Sequence, residues 1–125
     1  MNPNLILLYV EDEKNIREEM VEILSLDFDT IHIAKNGQEG LDMFQDYHPD
    51  LVISDIQMPL MDGLSMSQKI LALDDKAKII LTTAFNEEGY LKKSKDIGIV
   101  SYVKKPVNIS ELFETIEAVF SANNP

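Results

Sequence analysis

Short apolar runs alternate along the chain with stretches of helical periodicity. Residues 5–10, 50–55 and 78–83 are almost continuously apolar and are bounded by charged or turn-forming residues. Such runs are typical of parallel strands that are covered on both faces. Residues 30–34 and 100–104 instead alternate polar and apolar side chains, which predicts strands at the two edges of a sheet.

Helical spacing of apolar residues after each strand predicts five helices. The fourth, over residues 86–98, has the fewest apolar anchors, and the last is predicted to open at Ser110, which supplies a cap. The predicted inward positions of the first three helices are Ile16, Met20, Ile23 and Leu24; Leu41, Phe44 and Tyr47; and Met66, Ile70 and Leu73.

Alternating strands and helices of this length indicate the α/β class, with a parallel sheet and right-handed crossovers. Buried strands early and in the middle of the chain, with edge strands second and last, favour a doubly wound five-stranded parallel sheet of order 2-1-3-4-5 with five helices. This is the flavodoxin-like order. At 125 residues, we expect one domain over residues 1–125.

The charge and composition of the chain limit the classes of function that it can have. Its formal net charge is -11, which disfavours direct binding to nucleic acid or to an anionic membrane surface. It contains no cysteine, which excludes thiol catalysis and cysteine-bound metals. The N-terminal apolar run is too short for a membrane span and lacks a basic flank, so we expect a cytoplasmic protein.

Reactive side chains stand where four of the predicted strands end. They are the pair Glu11-Asp12, then Asp55, Thr83 and Lys105. The carboxyl ends of parallel strands share one edge, so these residues are expected to meet in one crevice. Carboxylates crowded there need a compensating cation, and oxygen ligands favour Mg2+. Asp55 beside such an ion is suited to attack a phosphorus centre, with Lys105 and Thr83 binding the phosphoryl oxygens.

From about residue 5 to 120 the chain resembles the receiver domain of two-component response regulators. The resemblance rests on Glu11-Asp12, on Asp55 followed by Met58-Pro59 and Asp62-Gly63, and on Thr83-Ala84 and Lys105-Pro106. Each motif alone is weak evidence, but all four in this order and spacing strongly indicate a resemblance to this family.

The resemblance implies a phosphoacceptor switch rather than an enzyme with a separate substrate. Asp55 would accept the phosphoryl group from a sensor histidine kinase or a histidine phosphotransfer protein. The phosphorylated state would be recognised by a downstream protein target or by a fused output domain outside this chain. Asp12 would bind Mg2+ directly, Glu11 partly through water, Asp55 as both ligand and acceptor, and Gln57 through its backbone carbonyl. Thr83 and Lys105 would bind the phosphoryl group, and Lys105-Pro106 is expected to be a cis peptide.

The family also implies a switch, in which Thr83 moves toward the phosphoryl group and Tyr102 turns inward. This would change the face formed by the fourth helix, last strand and last helix. Lys92, Lys93, Lys95 and Lys104 fall near that face, so we hypothesise that it docks an acidic partner. Phe85, bulky and two residues after Thr83, is expected to slow hydrolysis of the phosphorylated state, and Phe85→Ala to shorten its lifetime.

Other functions on this fold fit the residues less well. An aspartate-nucleophile phosphatase generally needs a second acid two residues after the first, where this chain has Gln57. A flavin carrier needs a phosphate-binding loop after the first strand, where Glu11-Asp12-Glu13 would repel the phosphate. The remaining alternative is a receiver-like interaction module that is not phosphorylated, although such modules usually lose one or more of the residues that this chain keeps.

Overall fold

The computed structural model describes residues 4–84, 88–99 and 101–121. Strands and helices alternate throughout this part of the chain. They are β1 Ile6–Val10, α1 Lys14–Leu24, β2 Thr30–Ala34, α2 Gly37–Tyr47, β3 Leu51–Asp55, α3 Gly63–Leu73, β4 Ile79–Thr83, α4 Glu88–Asp96, β5 Tyr102–Lys104 and α5 Ile109–Ser121.

The strands form one parallel sheet in the order β2-β1-β3-β4-β5. This confirms the predicted fold class and places the two alternating strands at the edges. The three central strands are buried almost throughout, as continuous apolar runs require. In the described residues, no helix is long and apolar enough to cross a membrane.

Two apolar clusters lie on opposite faces of the sheet, because neighbouring residues of a strand point to opposite sides. Helices α1 and α5 cover one face, and α2, α3 and α4 cover the other. The first cluster includes Leu7, Ile53, Leu24, Leu112 and Ile116, and the second includes Leu8, Val52, Phe44, Met66 and Ile70.

Three expectations about the helices are corrected by the structure. Tyr47 and Leu73 are 49% and 56% exposed, although periodicity placed them on inward faces. Each is the last residue of its helix, and periodicity does not reveal how much of a helix end is left open to solvent. The last helix begins at Ile109 rather than Ser110, and its cap is Asn108, whose side chain accepts a hydrogen bond from the Glu111 amide.

Candidate functional site

The register of the sheet brings three carboxylates together at its carboxyl edge. Val10 of β1 pairs with Ser54 of β3, so the next residues, Glu11 and Asp55, reach the same level. Asp12 follows at the start of the loop to α1. One oxygen from each of Glu11, Asp12 and Asp55 lies within 4.8 Å of the others, as the sequence predicted.

The carboxylate of Asp55 is held from two sides. Its Oδ1 accepts a hydrogen bond of 2.8 Å from the Ile56 amide, and its Oδ2 lies 2.8 Å from Lys105 Nζ. The Asp55 side chain is 8% exposed and that of Lys105 is 28% exposed. A largely buried carboxylate with a fixed orientation is therefore presented at the edge of the sheet beside one cation.

The turn after β3 fixes the backbone of Asp55 through Gly63. The Gly63 amide donates to the Ile56 carbonyl at 2.6 Å, and a Cβ at Gly63 would lie 2.0 Å from the Asp55 carbonyl oxygen. Only glycine allows so close an approach. Asp62 then caps α3 by accepting from the Ser65 amide at 2.7 Å. The Asp62-Gly63 motif thus ties the end of β3 to the start of α3.

Glu11 is buried, with 2% exposure. Burial raises the pKa of its carboxyl from 4.5 to about 7, and the charge of Asp55 and a hydrogen bond shared with the Asp12 side chain act in the same direction. The Glu13 amide, which donates to Glu11 Oε2 at 3.1 Å, and the cation of Lys105 oppose this rise in the pKa. Burial, the largest of these effects, therefore favours the neutral form of the Glu11 carboxyl more than an exposed glutamate would experience.

Lys105 directly follows β5, the strand next to that of Thr83. Thr83 and Lys104 are register partners, and the Lys105 amide donates to the Thr83 carbonyl at 2.7 Å. The Lys105-Pro106 peptide is cis, as expected. Thr83 is buried at the end of β4, so both residues lie at the predicted edge.

The other predicted site residues occupy different surroundings. Gln57 is exposed in the turn after β3. Tyr102 packs against the α3 and α4 face of the sheet, where its hydroxyl donates to the Ile99 carbonyl and lies 2.7 Å from Ser94 Oγ. Phe85 lies outside the described residues.

Two residues near the site were not identified from the sequence. Tyr9 is buried in β1, and burial, together with the charges of Glu11 and Asp55, raises the pKa of its hydroxyl. Arg17 of α1 donates from Nη1 to the carbonyls of Glu11 and Asp12. Its place on the first turns of a helix directly after an acidic loop was the available signal.

The donor set suits a hard divalent cation. Three carboxylates with clustered oxygens match the oxygen ligands that Mg2+ takes in proteins. Burial is the main cause of the raised pKa of Glu11 and the charge of Asp55 adds to it, and a bound cation would favour the ionised carboxylate instead. The cluster also adjoins the Asp55–Lys105 ion pair, so the cation site and the ion pair share one carboxylate.

Comparison with known proteins identifies the family. The family model described as the response regulator receiver domain matches residues 7–117. The chain is 34% identical to Chemotaxis protein CheY of Halobacterium salinarum over 93% of its own length and 97% of that protein. It is also 34% identical to the Transcriptional regulatory protein PdtaR of Mycobacterium tuberculosis, but spans only 56% of that relative.

A solved structure is also similar to this chain in both fold and sequence. The N-terminal domain of an uncharacterized protein from Wolinella succinogenes superposes with a TM-score of 0.86 at 35% identity, covering 94% of this chain and 95% of that one. Since the family model spans most of the chain and the fold and acidic edge agree with it, this chain belongs to the response regulator receiver domain family.

Proposed function

We propose that this receiver domain is a Mg2+-dependent phosphoacceptor switch, in which Asp55 accepts a phosphoryl group from a histidine of a sensor kinase or phosphotransfer protein. The observation that carries the proposal is the setting of Asp55, whose carboxylate is fixed by the Ile56 amide and Lys105 beside Glu11 and Asp12. Asp55 is thereby both oriented and close to a cation site.

The transfer itself forms one bond and breaks one. An oxygen of Asp55 bonds to phosphorus while the bond from phosphorus to the donor imidazole nitrogen breaks, and the imidazole leaves with its electron pair. The chain positions its own side of this reaction, because two hydrogen-bonding partners already hold the carboxylate. Lys105 pairs with Asp55 before transfer and can then bind the added phosphoryl oxygens, and Thr83 would donate its hydroxyl to another.

Asp12, Glu11 and Asp55 would hold the metal, with the Gln57 backbone carbonyl as a further ligand and Glu11 acting partly through water. When bound, Mg2+ neutralises charge on the carboxylates and on the transferring group. The buried Glu11 would be ionised in that state, and its Oε2 already accepts a hydrogen bond from the Glu13 amide. The domain would take part in its own phosphorylation and dephosphorylation without a separate substrate.

We also propose that Thr83 and Tyr102 transmit the change to the face formed by α4, β5 and α5. The Tyr102 hydroxyl is held by Ser94 and Ile99 in the structure, so inward movement of its ring must break these hydrogen bonds. Ser94 is fully buried, which makes this contact a defined resting position for the ring.

Exposed lysines near this face, Lys92, Lys93, Lys95 and Lys104, favour an acidic surface on a downstream target or output domain outside this chain. Charge reversal at Lys92 and Lys93 should weaken binding of such a target. Lys76→Glu reverses one charge at the opposite end of the sheet, before β4, and should leave affinity unchanged, whereas reversal at Lys92 or at Lys93 alone should already weaken it. Equal effects of the two changes would remove the argument for this face.

The proposal is tested by incubating the purified chain with a small phosphodonor, with and without Mg2+, and weighing the intact protein. The expected result is the addition of one phosphoryl group that requires both Mg2+ and Asp55, with Asp55→Asn as the control. No addition, or an addition that persists in Asp55→Asn, would instead favour the receiver-like interaction module.

A further inference from the structure

We propose that Arg17 is a positioning residue for the acidic site, acting as a clamp on the backbone of the loop that carries Glu11 and Asp12. Its Nη1 donates to the carbonyl oxygen of Glu11 at 2.9 Å and to that of Asp12 at 3.3 Å. One guanidinium thus binds the main chain of two successive residues whose side chains form the acidic cluster. The inference deepens the proposed function, because it assigns the residue that orients two of the proposed metal ligands.

The guanidinium is directed at carbonyl groups and not at the nearby acids. Arg17 forms no ion pair with Glu11, Asp12 or Asp55, all of which the structure describes. Its cation would otherwise compete with a metal for the same carboxylates. By bonding to the carbonyls, it holds the loop and leaves the carboxylate oxygens available, and hydrogen bonds from a charged donor are stronger than those from a neutral one.

The loop has few other side-chain ties. Glu13 is the N-cap residue of α1, but its side chain makes no capping hydrogen bond. The Glu13 amide instead donates to the carboxylate of Glu11, which is itself a proposed metal ligand. The Glu11 amide continues the sheet by donating to the Ala34 carbonyl. The Glu13 carbonyl accepts a hydrogen bond from the Arg17 amide as part of α1. Among the described residues, the Arg17 guanidinium is therefore the side-chain tie to this loop that does not use a proposed ligand oxygen.

The clamp and simple electrostatics predict opposite changes in Mg2+ affinity for the same substitution. Arg17→Gln removes a positive charge next to an acidic site, so charge alone predicts Mg2+ binding that is unchanged or up to a few-fold tighter. Loss of the clamp lets the loop move, and removal of a group that orients metal ligands typically weakens binding about tenfold or more. Glutamine is a good helix former, so α1 should persist.

The experiment measures Mg2+ affinity by calorimetric titration and exchange of the Glu11 and Glu13 amides by NMR in the metal-free protein. Lys14→Gln is the matched control, since Lys14 lies in the first turn of α1 with a 76% exposed side chain paired only loosely with Glu18, at 4.0 Å. The expected result is about tenfold weaker binding in Arg17→Gln, with Glu13 exchange faster by a similar factor. Lys14→Gln should bind as tightly as the wild type or more so.

A second substitution guards against a general effect on folding. Arg17→Lys keeps the charge on a differently shaped side chain that lacks the guanidinium, and it should still weaken Mg2+ binding several-fold. Wild-type affinity in Arg17→Lys, or equal or tighter binding in Arg17→Gln, would overturn the clamp. If the wild-type chain bound no Mg2+, the proposed function would fail, while amide exchange would still decide the clamp: unchanged Glu13 exchange in Arg17→Gln would refute it.

Discussion

Replacing Asp12 by asparagine should stabilise the metal-free protein and remove its response to Mg2+. The oxygens of Glu11, Asp12 and Asp55 lie within 4.8 Å of one another. Two unit charges at that distance repel by roughly 1 kcal/mol in water and by roughly 3 kcal/mol at an effective dielectric constant of about 20. Asp12 is exposed, so water screens this repulsion, and we expect a net gain of about 1–2 kcal/mol.

Thermal unfolding at about pH 8 and low ionic strength gives the clearest measurement, because Glu11 is then mostly ionised and screening is weak. In EDTA, Asp12→Asn should melt roughly 3–8 °C above the wild type. At Mg2+ near ten times its dissociation constant, the wild type should gain about 1.4 kcal/mol and the variant almost nothing. The difference between the two proteins should therefore shrink to near zero.

Glu13→Gln is the matched control, since it removes an acidic side chain one residue further along that is not part of the cluster. It should change stability little in EDTA and leave the response to Mg2+ intact. If Asp12→Asn were no more stable than Glu13→Gln in EDTA, repulsion between the three carboxylates would not destabilise the metal-free protein. If Mg2+ stabilised Asp12→Asn as much as the wild type, the cation would bind elsewhere.

Three further predictions follow from the same geometry. In metal-free protein, the pKa of Glu11 is raised from 4.5 to about 7, so its contribution to stability is complete below about pH 4.5 and is lost as the pH rises through 7. Mg2+ affinity should rise over the same range of pH. Glu11→Gln should flatten both pH dependences, measured by unfolding for stability and by calorimetric titration for affinity. Gly63→Ala, whose Cβ would lie 2.0 Å from the Asp55 carbonyl oxygen, should lower the free energy of unfolding in denaturant by roughly 1–3 kcal/mol. Gly89→Ala, whose Cβ would meet nothing within 4 Å, should be neutral or stabilising by up to about 1 kcal/mol. Similar losses in the two variants would contradict the close approach at Gly63. A double-mutant cycle of Ser94→Ala and Tyr102→Phe should give a coupling of about 0.5–1.5 kcal/mol, and additive effects would mean that the hydrogen bond does not form in solution.

The sequence alone predicted the order of the sheet and the edge at which the site lies. Continuous apolar runs that are short and bounded by charged or turn-forming residues are typical of strands buried on both faces, and alternating runs are typical of the edges. Once the order is set, the carboxyl ends of the strands must coincide. The meeting of Glu11, Asp12 and Asp55, and the arrival of Lys105 beside Asp55, followed from this and are confirmed by their distances. The roles assigned to these residues, and to Gln57, Thr83 and Tyr102, stay predictions.

Only the tertiary structure decided how these groups are held. That Arg17 binds two carbonyls rather than a carboxylate depends on the path of the loop, which no periodicity encodes. The pKa of Glu11 depends on its burial and on neighbours distant in sequence. Tyr47 lies half-exposed at the edge of the sheet, where it stacks on His32 of β2 with 3.8 Å between ring centroids. Local patterns specify which residues enter the core and which edge carries the chemistry, whereas hydrogen-bond partners and charge balance arise only when distant segments pack together.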